Sequence, residues 1–172
     1  NYKYKKLNLM RNHGLINRDN CKLYGYNSMT SSINLAIIGC GFISQIAHLP
    51  CFNSNSGFSI KYLADPFVDL RNDLARQYNI PSTCTSHLDI CNDPDIEAVV
   101  VTLPRPLTFH VVQDLLKANK WILSEKPICI NSEYGDKLLQ TCSTSSSNVM
   151  TGYMKQHDLG VLEFKELITS ID

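Results

Sequence analysis

Ile33-Asn34-Leu35-Ala36-Ile37-Ile38-Gly39-Cys40-Gly41-Phe42-Ile43-Ser44 is the stretch on which the reading of this chain turns. An apolar, β-branched run breaks at Gly39 and Gly41 and continues into Ser44-Gln45-Ile46-Ala47-His48-Leu49, which has helical character. A strand that feeds a tight turn and then a helix aims backbone amides and a helix N-terminus at an anionic group. Gly39 is expected to make the turn, and Gly41 to let a pyrophosphate approach the backbone without meeting a Cβ. Ser44 stands where a G-x-G-x-x-G fingerprint has its third glycine. That position needs only a small residue for close helix–strand packing, so serine weakens the match without breaking it. Taken alone, the run also fits an ordinary glycine-rich turn with no ligand.

Spacing adds to it. A second strand, residues 58–64, ends at Asp65, 24 positions after Gly41. The dinucleotide fingerprint has an acid about 20 residues on, at the tip of the second strand, accepting hydrogen bonds from the adenosine ribose. Asp65-Pro66 also suits the start of a helix, and the two roles are compatible. A carboxylate there repels a ribose 2′-phosphate, so NAD is the expected cofactor in preference to NADP. Arg71 and Arg76 read as too far along the following helix to reverse that preference.

A chain of 172 residues has room for one domain of ordinary size, and 44% apolar residues are enough for a core. Net charge is zero, yet residues 1–32 carry six Lys/Arg against one Asp. That stretch is polar, Asn-rich and without clear periodicity, and it lacks the apolar core of a secretory signal. It is expected to be a disordered or weakly structured extension, with Met29 as a possible natural start. Nothing resembles a transmembrane span. Seven cysteines, odd in number and without a C-x-x-C pair, read as reduced thiols of a cytoplasmic protein. Neither a disulfide frame nor a metal site is expected. Nucleic-acid binding has only the basic stretch in its favour.

From Ile33 onward, strands are expected at 33–38, 58–64, 82–85, 96–103, 121–124 and 148–152. Helices are expected at 43–53, 66–78, 87–91, 108–118, 132–143 and 160–171. The fourth strand is apolar on both faces, as a parallel sheet requires. Six strands separated by helices predict a doubly wound parallel α/β sheet, a Rossmann dinucleotide-binding fold ordered 3-2-1-4-5-6 over residues 33–155. Right-handed crossovers put every strand's carboxyl end on one rim. Thr102-Leu103-Pro104, with His110 in the next helix, then share a crevice with Glu125-Lys126-Pro127 and Gly152-Tyr153.

These motifs, in this order, resemble the N-terminal half of the glucose–fructose oxidoreductase and inositol dehydrogenase (Gfo/Idh/MocA) family, over residues 33 to about 160. The resemblance implies a reversible hydride transfer between a nicotinamide and a sugar, cyclitol or related hydroxyl compound. It assigns Lys126 as the catalytic lysine, which holds the substrate oxygen and relays its proton. Cofactor contacts are expected from Gly39, Gly41, Phe42, Ile43, Asp65, Thr102, Leu103, Pro104, His110, Glu125, Lys126 and Pro127. Tyr153 and Lys155 are expected on the substrate side. His110 equally suits a helix-packed histidine, His48 reads as structural, and His157-Asp158 is not expected to form a catalytic pair. Family members carry a second α/β domain that supplies most substrate contacts. Residues 156–172 read as its beginning, so this chain is expected to be a truncated form with mainly nucleotide-binding capacity. A catalytically silent NAD-binding module and an adenosine binder such as a methyltransferase are the competing readings. The latter has no use for a Glu-Lys-Pro motif.

Overall fold

Within the computed structural model, residues 32–170 are described, and the basic stretch and Met29 lie outside them. Strands β1 (Ile33–Ile38), β2 (Phe58–Ala64), β3 (Ser82–Cys84), β4 (Ala98–Val101), β5 (Trp121–Ser124) and β6 (Val149–Thr151) form one sheet. Its order is β3-β2-β1-β4-β5-β6, and every pairing is parallel. This is the doubly wound order expected from the alternation of strand and helix. The last residues of the strands lie side by side: Ile38 beside Ala64 and Val101, Ala64 beside Cys84, Val101 beside Ser124, and Ser124 beside Thr151. One rim therefore collects the loops that follow all six strands.

The period of two along β1 divides the core between the sheet's faces. Leu35 and Ile37 join Leu49, Leu63 and Leu74 on one face. Ala36 and Ile38 join Val99, Val101, Phe109, Val112, Leu115 and Leu138 on the other. Burial on both faces is what the continuous apolar runs require.

Helix α1 begins at residues 42–43, widens into a π-helical segment, Ser44–His48, and continues as Leu49–Asn53. The Leu49 amide donates to the Ser44 carbonyl five residues back, the bond that widens the turn. Helices α2 (Val68–Tyr78), α3 (His87–Asn92), α4 (Arg105–Lys117) and α5 (Ser132–Thr144) follow their strands. Element boundaries near prolines differ from expectation. The fourth strand ends at Val101 and α4 begins at Arg105, three residues ahead of Thr108, with Pro106 in the first turn. A proline costs nothing there, because no carbonyl waits for its missing amide. Helix α2 starts at Val68 and not at Pro66, because Phe67 is still extended (φ −80°, ψ 98°).

Contacts divide the described residues after Tyr153. The later unit holds a 3-10 turn, Met154–His157, and α6, Leu159–Thr169. Asp158 caps α6 by accepting the Gly160 amide at 3.1 Å.

Candidate cofactor site

The two glycines of the first turn have different reasons to be there. Gly39 has φ +95°, and a Cβ on it would lie 2.6 Å from the Thr102 carbonyl oxygen. Its amide donates to the Ala64 carbonyl at 2.8 Å, and its carbonyl accepts the Thr102 hydroxyl at 2.8 Å. Glycine is demanded by the fold itself. Gly41 is exposed, lies outside the left-handed region, and has no heavy atom within 4 Å of the place a Cβ would occupy. Nothing among the described residues requires a glycine at that position.

The Gly41 carbonyl accepts the Gln45 amide at 3.1 Å, the first helical bond of α1. The amides of the first turn have no carbonyl four residues back, so they are presented outward. Phe42 is 76% exposed beside them, and Ile43 is half-buried. Ser44 has no exposed surface, in keeping with a small residue pressed against the sheet. Gln45 steadies the turn, its side-chain amide donating to the Cys40 carbonyl at 2.8 Å.

Asp65 sits at the tip of β2 and is almost wholly buried. Its Oδ2 accepts the Cys40 amide and its Oδ1 the Phe67 amide, both at 2.8 Å. The carboxylate first clasps the glycine turn to the second strand. Arg71 is nearer than its sequence distance implied: its Nη1 donates to the Asp65 carbonyl at 2.6 Å, and its side chain is buried. Six residues of turn and helix bring the guanidinium back under the strand tip.

Cys40 lies between these groups, and its thiol is pushed from the ordinary 9.0 up to about 12, first by burial and then by the Asp65 charge. Burial, with Asp89 second, raises Cys84 to about 11. At about pH 7.5 an alkylating reagent is expected to modify exposed Cys51 well before Cys40 or Cys84, because the thiolate is the nucleophile. Peptide mapping after brief iodoacetamide treatment checks the order. Because folding raises these pKa values, the stability they accompany is intact below about pH 9. It is lost as pH climbs through about 11 to 12.

Across β4, the loop after β5 holds Glu125, Lys126 and Pro127, and the Lys126–Pro127 bond is cis. The Glu125 amide donates to the Val101 carbonyl at 2.9 Å, and the Gly152 amide to the Ser124 carbonyl at 2.8 Å. Glu125 Oε1 meets His48 Nε2 at 2.9 Å, while Oε2 accepts the Lys126 amide at 3.3 Å. The Lys126 side chain is exposed and has no hydrogen bond or ion pair among the described residues. Tyr153 is 54% exposed on the same unit. Lys155 belongs to the later unit and pairs with Asp158 at 3.0 Å.

Other expected residues serve the frame. Thr102 is buried, with its hydroxyl on the Gly39 carbonyl, so it underpins the turn from below. Leu103 packs against the core, and Pro104 is the N-cap of α4. His110 is exposed along one side and sets its ring edge-on to Tyr134 of α5, 6.1 Å between centroids. Two contacts at this rim were not expected from the sequence, which read His48 as structural and Arg71 as too far along its helix to reverse the NAD preference: His48 with Glu125, and Arg71 with the Asp65 carbonyl. The partner of His48 is 77 positions away, a separation only the strand order closes.

A side-chain-free turn at the first strand, an acid at the second and an exposed lysine after the fifth define a dinucleotide-binding α/β domain of the oxidoreductase class. A family model described as the oxidoreductase family with an NAD-binding Rossmann fold (Gfo/Idh/MocA) matches residues 33–153, and the chain belongs to that family. Inositol 2-dehydrogenase of Salmonella typhimurium is 23% identical over 141 residues, 81% of this chain and 42% of the relative. An NADP(+)-dependent scyllo-inositol 2-dehydrogenase of Bacillus subtilis is 23% identical over 138 residues, 80% of this chain and 38% of its own length. The chain thus spans about two fifths of these relatives. The fold matches that of scyllo-inositol dehydrogenase from Lactobacillus casei, solved with NAD(H) and scyllo-inositol. That match has a TM-score of 0.75 and 19% identity, covering 81% of this chain and 42% of the other. It also matches a 3-ketoreductase from Actinomadura kijaniata, solved with NADP and TDP-benzene, with a TM-score of 0.74, 19% identity and coverage of 81% and 43%. Relatives and neighbours use both dinucleotides, so membership gives NAD(P) without choosing between them. No helix among the described residues is long and apolar enough to cross a membrane. Among those residues no group of three His, Cys, Asp or Glu is placed to hold a metal ion.

Proposed function

We propose that this chain binds a nicotinamide dinucleotide along the carboxyl-end rim and serves a reversible hydride transfer at a hydroxyl carbon of a sugar, cyclitol or related compound. The observation that carries the reading is Gly41, a glycine the fold does not need, at the first turn of a helix. A diphosphate drawn to the first-turn amides supplies the missing reason. Asp65 spends one acceptor position of each oxygen on backbone amides, and a carboxylate offers about four, leaving room for ribose hydroxyls. The inositol dehydrogenases among the relatives support the substrate class.

When bound, the nicotinamide supplies the hydride donor or acceptor. Lys126 holds the substrate oxygen, takes its proton as the carbon is oxidised and returns it in the reverse direction. Glu125 shapes the nicotinamide-ribose side. Pro127, with φ fixed and no amide hydrogen, keeps the loop out of helix. Leu103, Pro104 and His110 form the wall after β4, with Thr102 bracing the glycine turn beneath it, and Tyr153 lies on the substrate side.

Calorimetric titration with NADH, NADPH and S-adenosylmethionine tests this. NADH is expected to bind more tightly than NADPH, and S-adenosylmethionine not to bind. Asp65→Asn is expected to narrow the NADH preference about tenfold, since it removes the charge that repels a 2′-phosphate. Binding of S-adenosylmethionine without NADH would overturn the proposal.

A further inference from the structure

We infer that His48 is a positioning residue for Lys126: through Glu125 it ties the helix of the glycine turn to the loop that carries the lysine. The inference rests on the dinucleotide-binding reading above and adds a coupling between the two ends of that site. His48 Nε2 and Glu125 Oε1 are 2.9 Å apart, with the side chains only 15% and 17% exposed. In the sheet β1 and β5 are not neighbours, because β4 lies between them. The pair therefore crosses a strand that separates the two motifs.

Both ends of the link are anchored. The His48 ring stacks on Phe52 (centroids 6.4 Å, 13° between planes), and Phe52 meets Phe58 of β2 edge-on at 4.9 Å. Those contacts hold the imidazole and leave Nε2 facing the carboxylate. On the other side, Glu125 Oε2 accepts the Lys126 amide and the Glu125 amide is held by Val101. The backbone from which Lys126 springs is set by a carboxylate with two partners. Since the lysine side chain has no hydrogen bond or ion pair among the described residues, the loop decides where its amine reaches. A hydrogen bond to an ionised carboxylate in a half-dry site is about twice as strong as a neutral one, enough to hold such a loop.

The test separates the two halves of the ligand. ADP-ribose engages the glycine turn and Asp65 but lacks the nicotinamide. His48→Phe keeps a ring on Phe52 and removes the donor. In the full 172-residue chain it is expected to weaken NADH binding about tenfold and ADP-ribose binding less than about twofold. His48→Gln, which restores a donor, is expected to recover most of the NADH affinity. Adding His48→Phe to Glu125→Ala is expected to cost nothing further, because the pair is already broken. Equal losses for both ligands, or no loss for either, would overturn the inference while the dinucleotide reading stood. A wild-type chain that binds neither ligand would instead bring down the reading beneath it. Melting curves identify a variant that does not fold, and His48→Gln against Glu125→Ala then carries the same ratio of ligands.

Discussion

Gly41→Asp is expected to lower NADH affinity at least about 100-fold while leaving the melting temperature unchanged or slightly raised. The two effects diverge because the position serves two masters. For the fold, residue 41 supplies the carbonyl that opens α1, has ordinary backbone and faces open space. Aspartate is among the residues preferred at such a position, where its oxygen accepts an orphan amide and its charge suits the helix dipole. For the ligand, the same carboxylate occupies the amides a diphosphate would use and adds like charge a few ångströms away. At a protein surface that repulsion is about 4 kcal/mol for unit charges 4 Å apart, well beyond the roughly 2.7 kcal/mol of a 100-fold loss. Calorimetry with NADH and a thermal melt read the two sides separately. Undiminished affinity would remove the argument that a ligand explains this glycine.

Gly39→Ala is expected to do the opposite, damaging the fold directly and binding only through it. A methyl group there would sit 2.6 Å from the Thr102 carbonyl and 2.8 Å from its hydroxyl, on backbone at φ +95°. Left-handed backbone costs a non-glycine residue about 1–2 kcal/mol, and forcing extra carbon into packed surroundings about 1–3 more. Neither contact yields cheaply. Thr102 is buried and its amide and hydroxyl already hold Ile38 and Gly39. A loss of about 2–5 kcal/mol corresponds to a melting temperature lower by roughly 10 °C. A melt within a degree or two of wild type would show that the turn relaxes more easily than its contacts suggest.

The fold was legible because its evidence is local and repeated. The run Leu35-Ala36-Ile37-Ile38, apolar on both faces, says parallel sheet, and six strands separated by helices say doubly wound. The first-strand turn was legible for the same reason, as a short pattern whose spacing has a mechanical cause. The Glu125-Lys126-Pro127 motif was readable too, although its meaning came from family resemblance and not from spacing. Less legible were the uses to which side chains are put. Asp65 reads as a ligand acid or a helix cap, yet its two oxygens bind the amides of Cys40 and Phe67. Thr102 lies on the rim as expected, but its hydroxyl turns inward to Gly39.

Amino-acid order by itself determined which segments are strands, which face of each is apolar, and where backbone must bend without a side chain. Those are properties of neighbours a few bonds apart, settled by sterics and hydropathy. Only the tertiary structure decided that His48 would meet Glu125, or that Arg71 would reach back to the Asp65 carbonyl. Such meetings depend on strand order and helix placement, which bring distant residues within hydrogen-bond range of one another.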